Sequence, residues 1–158
     1  MKTYRNKTRK IVYQLLFAKF FWAKDFKEIL DVFFTEKFWD NIDLDYLKKI
    51  YNLVLKNQKI SIYLIWEYAP KFDVKKMPLH STLPIFIAIS EMFFLEEEIP
   101  AKVSINEAIE ISKTFGDDSS KKIVNWVLNK IFVDQEKIKE NIKNKDFLEK
   151  IEKIENIF

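Results

Sequence analysis

The stretch that decides the fold is residues 99–116, which read IPAKVSINEAIEISKTFG. Ser104 followed three residues later by Glu107 has the pattern of a capping box, in which the serine bonds a backbone N–H and the glutamate reaches back to the helix start. Gly116 is the only glycine of the chain, and it stands where a helix commonly closes on a residue at positive φ. The pattern predicts a helix capped by Ser104, whose inner face carries Ile105, Ala108, Ile109 and Phe115.

Helical periodicity continues on both sides of this stretch. Further helices are predicted over about residues 8–24, 26–38, 43–55, 59–69, 79–97 and 117–132. Asp43 is expected to cap the third of these helices, and Asp117 or Asp118 the last. The chain has one glycine and four prolines, which is too few turn residues for a β-sandwich or barrel. We therefore predict an all-α fold, a single-domain bundle of about seven helices.

The C-terminal segment differs from the rest. Residues 134–158 are highly charged with mixed sign, and a few apolar residues such as Ile138 and Ile151 give them weak amphipathicity. Such a segment is predicted to be an added helix or partly disordered. We therefore divide the chain into a helical domain, residues 1–133, and a charged C-terminal extension, residues 134–158.

The composition excludes several kinds of chemistry. The chain has no cysteine, which excludes disulfides and thiolate metal ligands. His80 is the only histidine, and no metal-ligand spacing surrounds it, so a structural or exposed role is expected. With a single glycine there is no Gly-rich phosphate loop. We expect no catalytic residues, no metal and no cofactor, and hence a protein that is not an enzyme.

The apolar segments are too short to cross a membrane. The longest apolar run in the middle of the chain, residues 83–95, is interrupted by Ser90 and Glu91, whereas a spanning helix needs about 20 apolar residues. The basic N-terminus is not followed by the small-residue cleavage site of a secretory signal. We expect a cytoplasmic protein.

Positive charge is concentrated at the N-terminus. Residues 1–24 carry seven lysines and arginines and no acidic residue, although the whole chain has a net charge of only +3. A basic end on a near-neutral body indicates an anionic partner such as nucleic acid. The alternative is a solvated segment beside the core.

The predicted first helix carries two apolar stripes. Ile11, Val12, Leu15, Leu16 and Trp22 form the first, and Tyr13, Phe17, Phe20 and Phe21 form the second. One stripe is enough to face a core. The second must pack on another element or form a partner surface.

Residues 99–108 resemble the most characteristic segment of the NusB family, which reads valine or isoleucine, proline, any residue, Lys-Val, a small residue and Ile-Asn-Glu-Ala. The resemblance continues through Gly116 and, beyond it, through Val124-Asn125 and residues 127–130. Near the N-terminus, residues 5–17 are similar to the arginine-rich opening of the family. The resemblance extends over nearly all of the chain up to about residue 132.

The resemblance implies a function. NusB proteins bind the boxA element of nascent ribosomal RNA together with NusE, a protein of the small ribosomal subunit, and the pair helps RNA polymerase in an antitermination complex to read through terminators. The residues that this implies for RNA phosphates are Arg5, Lys7, Arg9 and Lys10, with Lys102, Lys121 and Lys122. Phe17 and Ser81 match family positions that face NusE. The family includes monomers and homodimers.

Trp126 has no equivalent in the family, which has glycine there. On the predicted last helix it lies about 150° from the centre of the apolar stripe, beside Lys122 and Lys130. It could stack an unpaired RNA base, be covered by the C-terminal extension or another protein surface, or come from a UGA codon read as tryptophan.

Two other functions stay open. A NusB-like domain forms the front of some ribosomal RNA methyltransferases, so this chain could be such a domain cut from a longer enzyme. It could also be a helical protein-interaction module without an RNA role.

Overall fold

The computed structural model describes residues 4–22, 27–28 and 41–157. In these ranges all regular secondary structure is helical, as predicted, and eight helices have defined bounds. They are α1 (Arg5–Trp22), α2 (Leu44–Lys56), α3 (Gln58–Tyr68), α4 (Leu79–Phe93), α5 (Ala101–Phe115), α6 (Asp118–Val133), α7 (Gln135–Ile142) and α8 (Lys145–Glu152). The helix predicted over residues 26–38 lies outside the described residues except for Lys27 and Glu28, which are helical.

Helix α4 is the centre of the bundle. Every residue from Ser81 to Glu91 is buried, as expected for a helix that is apolar nearly all round. α1, α2, α5 and α6 pack around it. α4 ends at Phe93, shorter than the predicted 79–97, and the Phe94 N–H closes it on the Ser90 carbonyl. Three consecutive glutamates follow at residues 96–98, and negative charge at a helix C-terminus opposes the helix dipole.

The starts of α1 and α2 are tied together. Asp43 caps α2 as predicted, because its carboxylate accepts from the Tyr46 N–H at 3.1 Å. The Asp43 N–H donates to the Thr8 hydroxyl at 3.1 Å, and that hydroxyl donates to the Tyr4 carbonyl at 2.7 Å. Thr8 thus lies inside α1 rather than at its start, and the helix begins at Arg5.

The capping box predicted at Ser104 is wrong. α5 begins at Ala101, and Pro100 is its N-cap residue, with φ −54° and ψ 132°. Ser104 is therefore inside the helix and buried, and its hydroxyl donates to Glu91 Oε1 on α4 at 2.9 Å. The serine serves a contact between helices instead of the helix end.

The positive φ predicted for Gly116 is also wrong, because its φ is −117°. Glycine is required there by crowding. A Cβ would lie 2.7 Å from the Ser112 carbonyl oxygen and 2.8 Å from both His80 Nδ1 and Ser120 Oγ. Asp117 caps α6, as expected for one of the two aspartates, by accepting from the Ser120 N–H at 2.8 Å.

The segment from 134 onward packs on α3. Ile138 and Ile151 are buried in the core, and the edge of the Phe147 ring meets Tyr63 at a centroid distance of 5.2 Å. Asn144 caps α8. α3 is apolar on most of its circumference, so α8 covers a face that would otherwise be exposed to water.

Candidate nucleic-acid interface

Arg9, predicted to contact phosphate, lies in the interior instead. Arg9 is 3% exposed, and its Nε donates a hydrogen bond to Glu91 Oε2 at 2.6 Å. Glu107 lies 3.9 Å from its Nη1. Burial raises the pKa of Glu91, while Arg9 and Ser104 oppose the shift. The guanidinium links α1 to α4 and α5, and its burial gives no support to Arg9 as a phosphate contact.

Arg5 is also engaged by carboxylates. Its Nη2 and Nη1 donate to the two oxygens of Glu97 at 2.7 and 3.1 Å, and its Nε lies 3.4 Å from Asp43. The hydrogen bond to Glu97 is the main reason why the pKa of Arg5 is raised. The guanidinium also lies over the Tyr46 ring, 4.6 Å from its centroid. A phosphate would have to displace Glu97 to reach it.

The groove beside these arginines is acidic. It lies between the first turns of α1 and α5, and its lining includes Glu97, Glu98 and Glu107 together with Arg5 and Arg9. Three carboxylates beside two arginines leave no net positive charge for an anion. The basic N-terminus of the sequence therefore does not create a basic groove at this point.

The predicted lysines lie on three helices. Lys7 is exposed and Lys10 half-buried on α1, Lys102 is exposed in the first turn of α5, and Lys121 and Lys122 are exposed in the first turns of α6. α1 packs mainly on α2, α4 and α5, whereas α6 packs mainly on α3, α4 and α5. Both α1 and α6, which carry most of these lysines, therefore pack against α4 and α5.

Trp126 lies on the outer face of α6, as its position on the helix predicted, and is 36% exposed. Its ring meets Phe72 edge-on, with 5.8 Å between centroids. Lys71 Nζ and Lys130 Nζ lie 4.5 and 5.4 Å from the indole centroid. Lys71 and Phe72 follow α3 and were missed from the sequence, since only tertiary folding brings them to α6.

The second apolar stripe of α1 runs from the core to the surface. Tyr13 is buried, stacks on Phe115 at 4.6 Å, and burial raises its pKa to about 12. Phe17 is half-buried between Tyr13 and Phe21, at centroid distances of 6.0 and 4.7 Å. Phe20 and Phe21 are exposed, Phe21 to 61%. The stripe both packs internally and presents an aromatic surface.

Ser81 does not lie on that surface. It is completely buried in α4, and its hydroxyl has no hydrogen-bond partner among the described residues. This burial gives no support to Ser81 as a partner contact. Ser81 is the third residue of α4 and therefore lies in its first turn.

His80 and Ser120, which the sequence did not connect, are in contact. Ser120 Oγ is hydrogen-bonded to His80 Nδ1 and lies 3.0 Å from Asp117 Oδ1. In a catalytic triad the histidine lies between the serine and the aspartate, and the serine is accessible. Here the serine lies between the other two residues and is buried, so the three residues do not form a triad. Helix capping explains the contact between Ser120 and Asp117. Hydrogen bonds from Ser120 lower the pKa of the Asp117 carboxyl group.

The described residues have neither a metal-binding cluster nor a helix that could span a membrane. No group of three or more histidine, cysteine, aspartate or glutamate side chains in that part of the chain could hold a metal ion. No helix within it is long and apolar enough to cross a membrane.

These features define an all-α bundle wrapped around one buried helix, with its arginines used for packing and its lysines left at the surface. The model of the NusB family matches residues 6–132. The chain belongs to the NusB family.

Individual relatives agree. The transcription antitermination protein NusB of Clostridium novyi (strain NT) is 33% identical over 126 residues, 78% of this chain and 94% of the relative. That of Caldicellulosiruptor saccharolyticus is 38% identical over 96 residues, 61% of this chain and 72% of the relative. The solved structure of T. maritima NusB is similar with a TM-score of 0.68 at 27% identity, over 92% of this chain and 96% of the other.

Proposed function

We propose that this chain is an antitermination factor that binds single-stranded boxA RNA of nascent ribosomal RNA together with NusE. The observation that carries the proposal is the family match over residues 6–132, with relatives named transcription antitermination proteins. The pair would join the antitermination complex of RNA polymerase. The exposed lysines and aromatics of α1 and α6 support binding as the activity.

The phosphate contacts are assigned to lysines. Lys7, Lys10, Lys102, Lys121 and Lys122 reach the surface to different degrees, and each can neutralise one phosphate. Arg5 contributes only where RNA displaces Glu97, and Arg9 is left out because it is buried. Lysine suits this role, since its ammonium group on a long stem can follow a mobile single strand.

The NusE surface is assigned to the aromatic end of α1. Phe17 is held between Tyr13 and Phe21, so it is already ordered before a partner binds. Phe20 and Phe21 extend the apolar area to the exposed side. Ordered aromatic side chains at the centre of a patch often dominate binding energy.

The RNA assignment is tested with the full chain co-purified with its cognate NusE. Binding of a boxA RNA oligonucleotide is measured by fluorescence anisotropy at several salt concentrations, with a scrambled oligonucleotide as control. The logarithm of the association constant should fall with the logarithm of salt by about 0.7 for each phosphate contact. Equal affinity for both oligonucleotides, or no RNA binding, would contradict the proposal.

The partner assignment is tested with Phe17→Ala. Truncation of an interface anchor costs about 2 kcal/mol or more, so NusE affinity should fall about thirtyfold. Trp66→Ala, which removes an exposed aromatic from α3, is the control and should bind NusE normally. If Phe17→Ala lowers the melting temperature strongly and leaves NusE affinity unchanged, Phe17 is a core residue only.

A further inference from the structure

The outer face of α6 has an aromatic ring that the core does not need. Val124, Val127, Leu128 and Ile131 already form the buried face of this helix. Trp126 points away from them and packs on Phe72 instead, with the rings at 77°. The edge-on contact fixes the orientation of the indole while 36% of the residue stays accessible. The ring is therefore ordered in advance and available for stacking.

The surroundings of this ring are positive. An open depression beside it, of about 560 Å³, is lined by Lys122, Asn125, Trp126, Asn129, Lys130 and Val133. No carboxylate is in that lining. Among the described residues, Lys122 and Lys130 form no ion pair within 4.0 Å, in contrast to Arg5 and Arg9 on α1. A negatively charged ligand would find this charge uncompensated.

Lys71 indicates which ligand the ring can take. Its ammonium lies 4.5 Å from the indole centroid, so an exposed cationic side chain already lies over the ring. A cation on an exposed ring is held only weakly. A flat base could replace it there, and the released ammonium could then pair with a neighbouring phosphate.

We propose that Trp126 stacks an unpaired base of single-stranded RNA while Lys122 and Lys130 contact the phosphates beside that base. Phe72 holds the indole in place, and Lys71 moves from the ring to the backbone of the RNA. The combination of a π-face with surrounding cations fits single-stranded nucleic acid. An acidic peptide would satisfy the lysines but would offer the indole no aromatic face. The inference rests on the RNA-binding function proposed above.

The test uses the full chain with cognate NusE and the boxA oligonucleotide. Trp126→Ala should weaken RNA binding by about fivefold to a hundredfold, the range measured for base–aromatic stacking. Trp126→Phe should keep affinity within about threefold, because phenylalanine also has a π-face. Trp66→Phe and Trp66→Ala are the matched controls, since Trp66 is 44% exposed but lies on α3, and they should bind RNA like the native chain.

Tryptophan fluorescence gives a second measurement on the same proteins. RNA should quench the native chain and Trp66→Phe, and the quenching should be reduced in Trp126→Phe. If Trp126→Ala binds RNA as tightly as the native chain, this site is overturned while the RNA-binding function stands. If the native complex does not bind RNA, both are overturned. Melting curves of Trp126→Ala show whether the variant is folded, and Trp126→Phe keeps the test valid if it is not.

Discussion

The first turns of α1 and the outer face of α6 both have clustered positive residues in the sequence, yet they use them in opposite ways. On α1, Arg9 is buried against Glu91, and Arg5 is bound to Glu97 on both oxygens. On α6, Lys122 and Lys130 surround an exposed indole in a depression without a carboxylate. Charge along the sequence therefore does not measure charge that is available to a partner.

The side chains themselves explain part of this difference. A guanidinium is planar, less strongly hydrated than an ammonium, and can bind a carboxylate with two hydrogen bonds, so arginine suits ion pairs between packed helices. A lysine ammonium loses more hydration on burial and stays at the surface. In this chain the arginines tie α1 to α2, α4 and α5, whereas Lys121, Lys122 and Lys130 are exposed on α6.

The largest effect is expected from Arg9→Ala. It leaves Glu91 buried without its cation, which typically costs about 3–5 kcal/mol. Urea denaturation should show this loss in the free energy of unfolding, whereas Lys10→Ala on the same helix should change it by less than about 0.5 kcal/mol. The double variant Arg9→Met with Glu91→Leu should recover most of the loss. A small loss of unfolding free energy in Arg9→Ala would mean that α1 and α6 do not differ in how they use their positive charges.

The same variant should be sensitive to pH. Burial raises the pKa of Glu91, and Arg9 is the main group that opposes the shift. Without Arg9 the folded-state pKa rises further above the unfolded one. A raised carboxyl pKa favours the folded state at low pH, and this contribution is lost as pH rises through the folded pKa. The stability gap between native chain and Arg9→Ala should therefore be smaller near pH 4 than at pH 7; a constant gap would contradict this account of Glu91.

The helices could be predicted from the sequence because their determinants are local. Apolar spacing and the Asp43 and Asp117 caps depend on residues three or four apart. The C-terminal end of α4 and the start of α5 were misplaced. For α5 the reason is that Ser104 is a good cap in isolation, and only its contact with Glu91 gives it another role.

The site was harder to predict because its residues meet over long distances in sequence. Arg9 and Glu91 are 82 positions apart, and Arg5 and Glu97 are 92 apart. The Phe72–Trp126 contact is of the same kind. The outward position of Trp126 was predicted from its place on the helix, and the lysines were proposed from the basic N-terminus and the family resemblance. The pairing of the arginines with carboxylates could not be recognised without the fold.

A smaller effect should come from Glu97→Gln, which removes the charge that holds Arg5. The pair is partly exposed, so the free energy of unfolding should change by less than about 1 kcal/mol. If Arg5 becomes available to a phosphate, RNA affinity should rise and the salt slope should steepen by up to about 0.7. Glu149→Gln, an exposed glutamate on α8, is the control. Weaker RNA binding by Glu97→Gln would show that the acidic groove does not restrain Arg5.

We infer that exposed lysines of α6, and not the paired arginines of α1, provide phosphate contacts. The most direct measurement is the salt dependence of boxA RNA binding by the complex with NusE, compared for the native chain, Arg5→Ala, and the triple variant Lys121→Ala, Lys122→Ala, Lys130→Ala. We expect the triple variant to flatten the slope by up to about 2, or 0.7 for each contact, and Arg5→Ala to leave it unchanged. A slope flattened by Arg5→Ala and unchanged in the triple variant would contradict the claim.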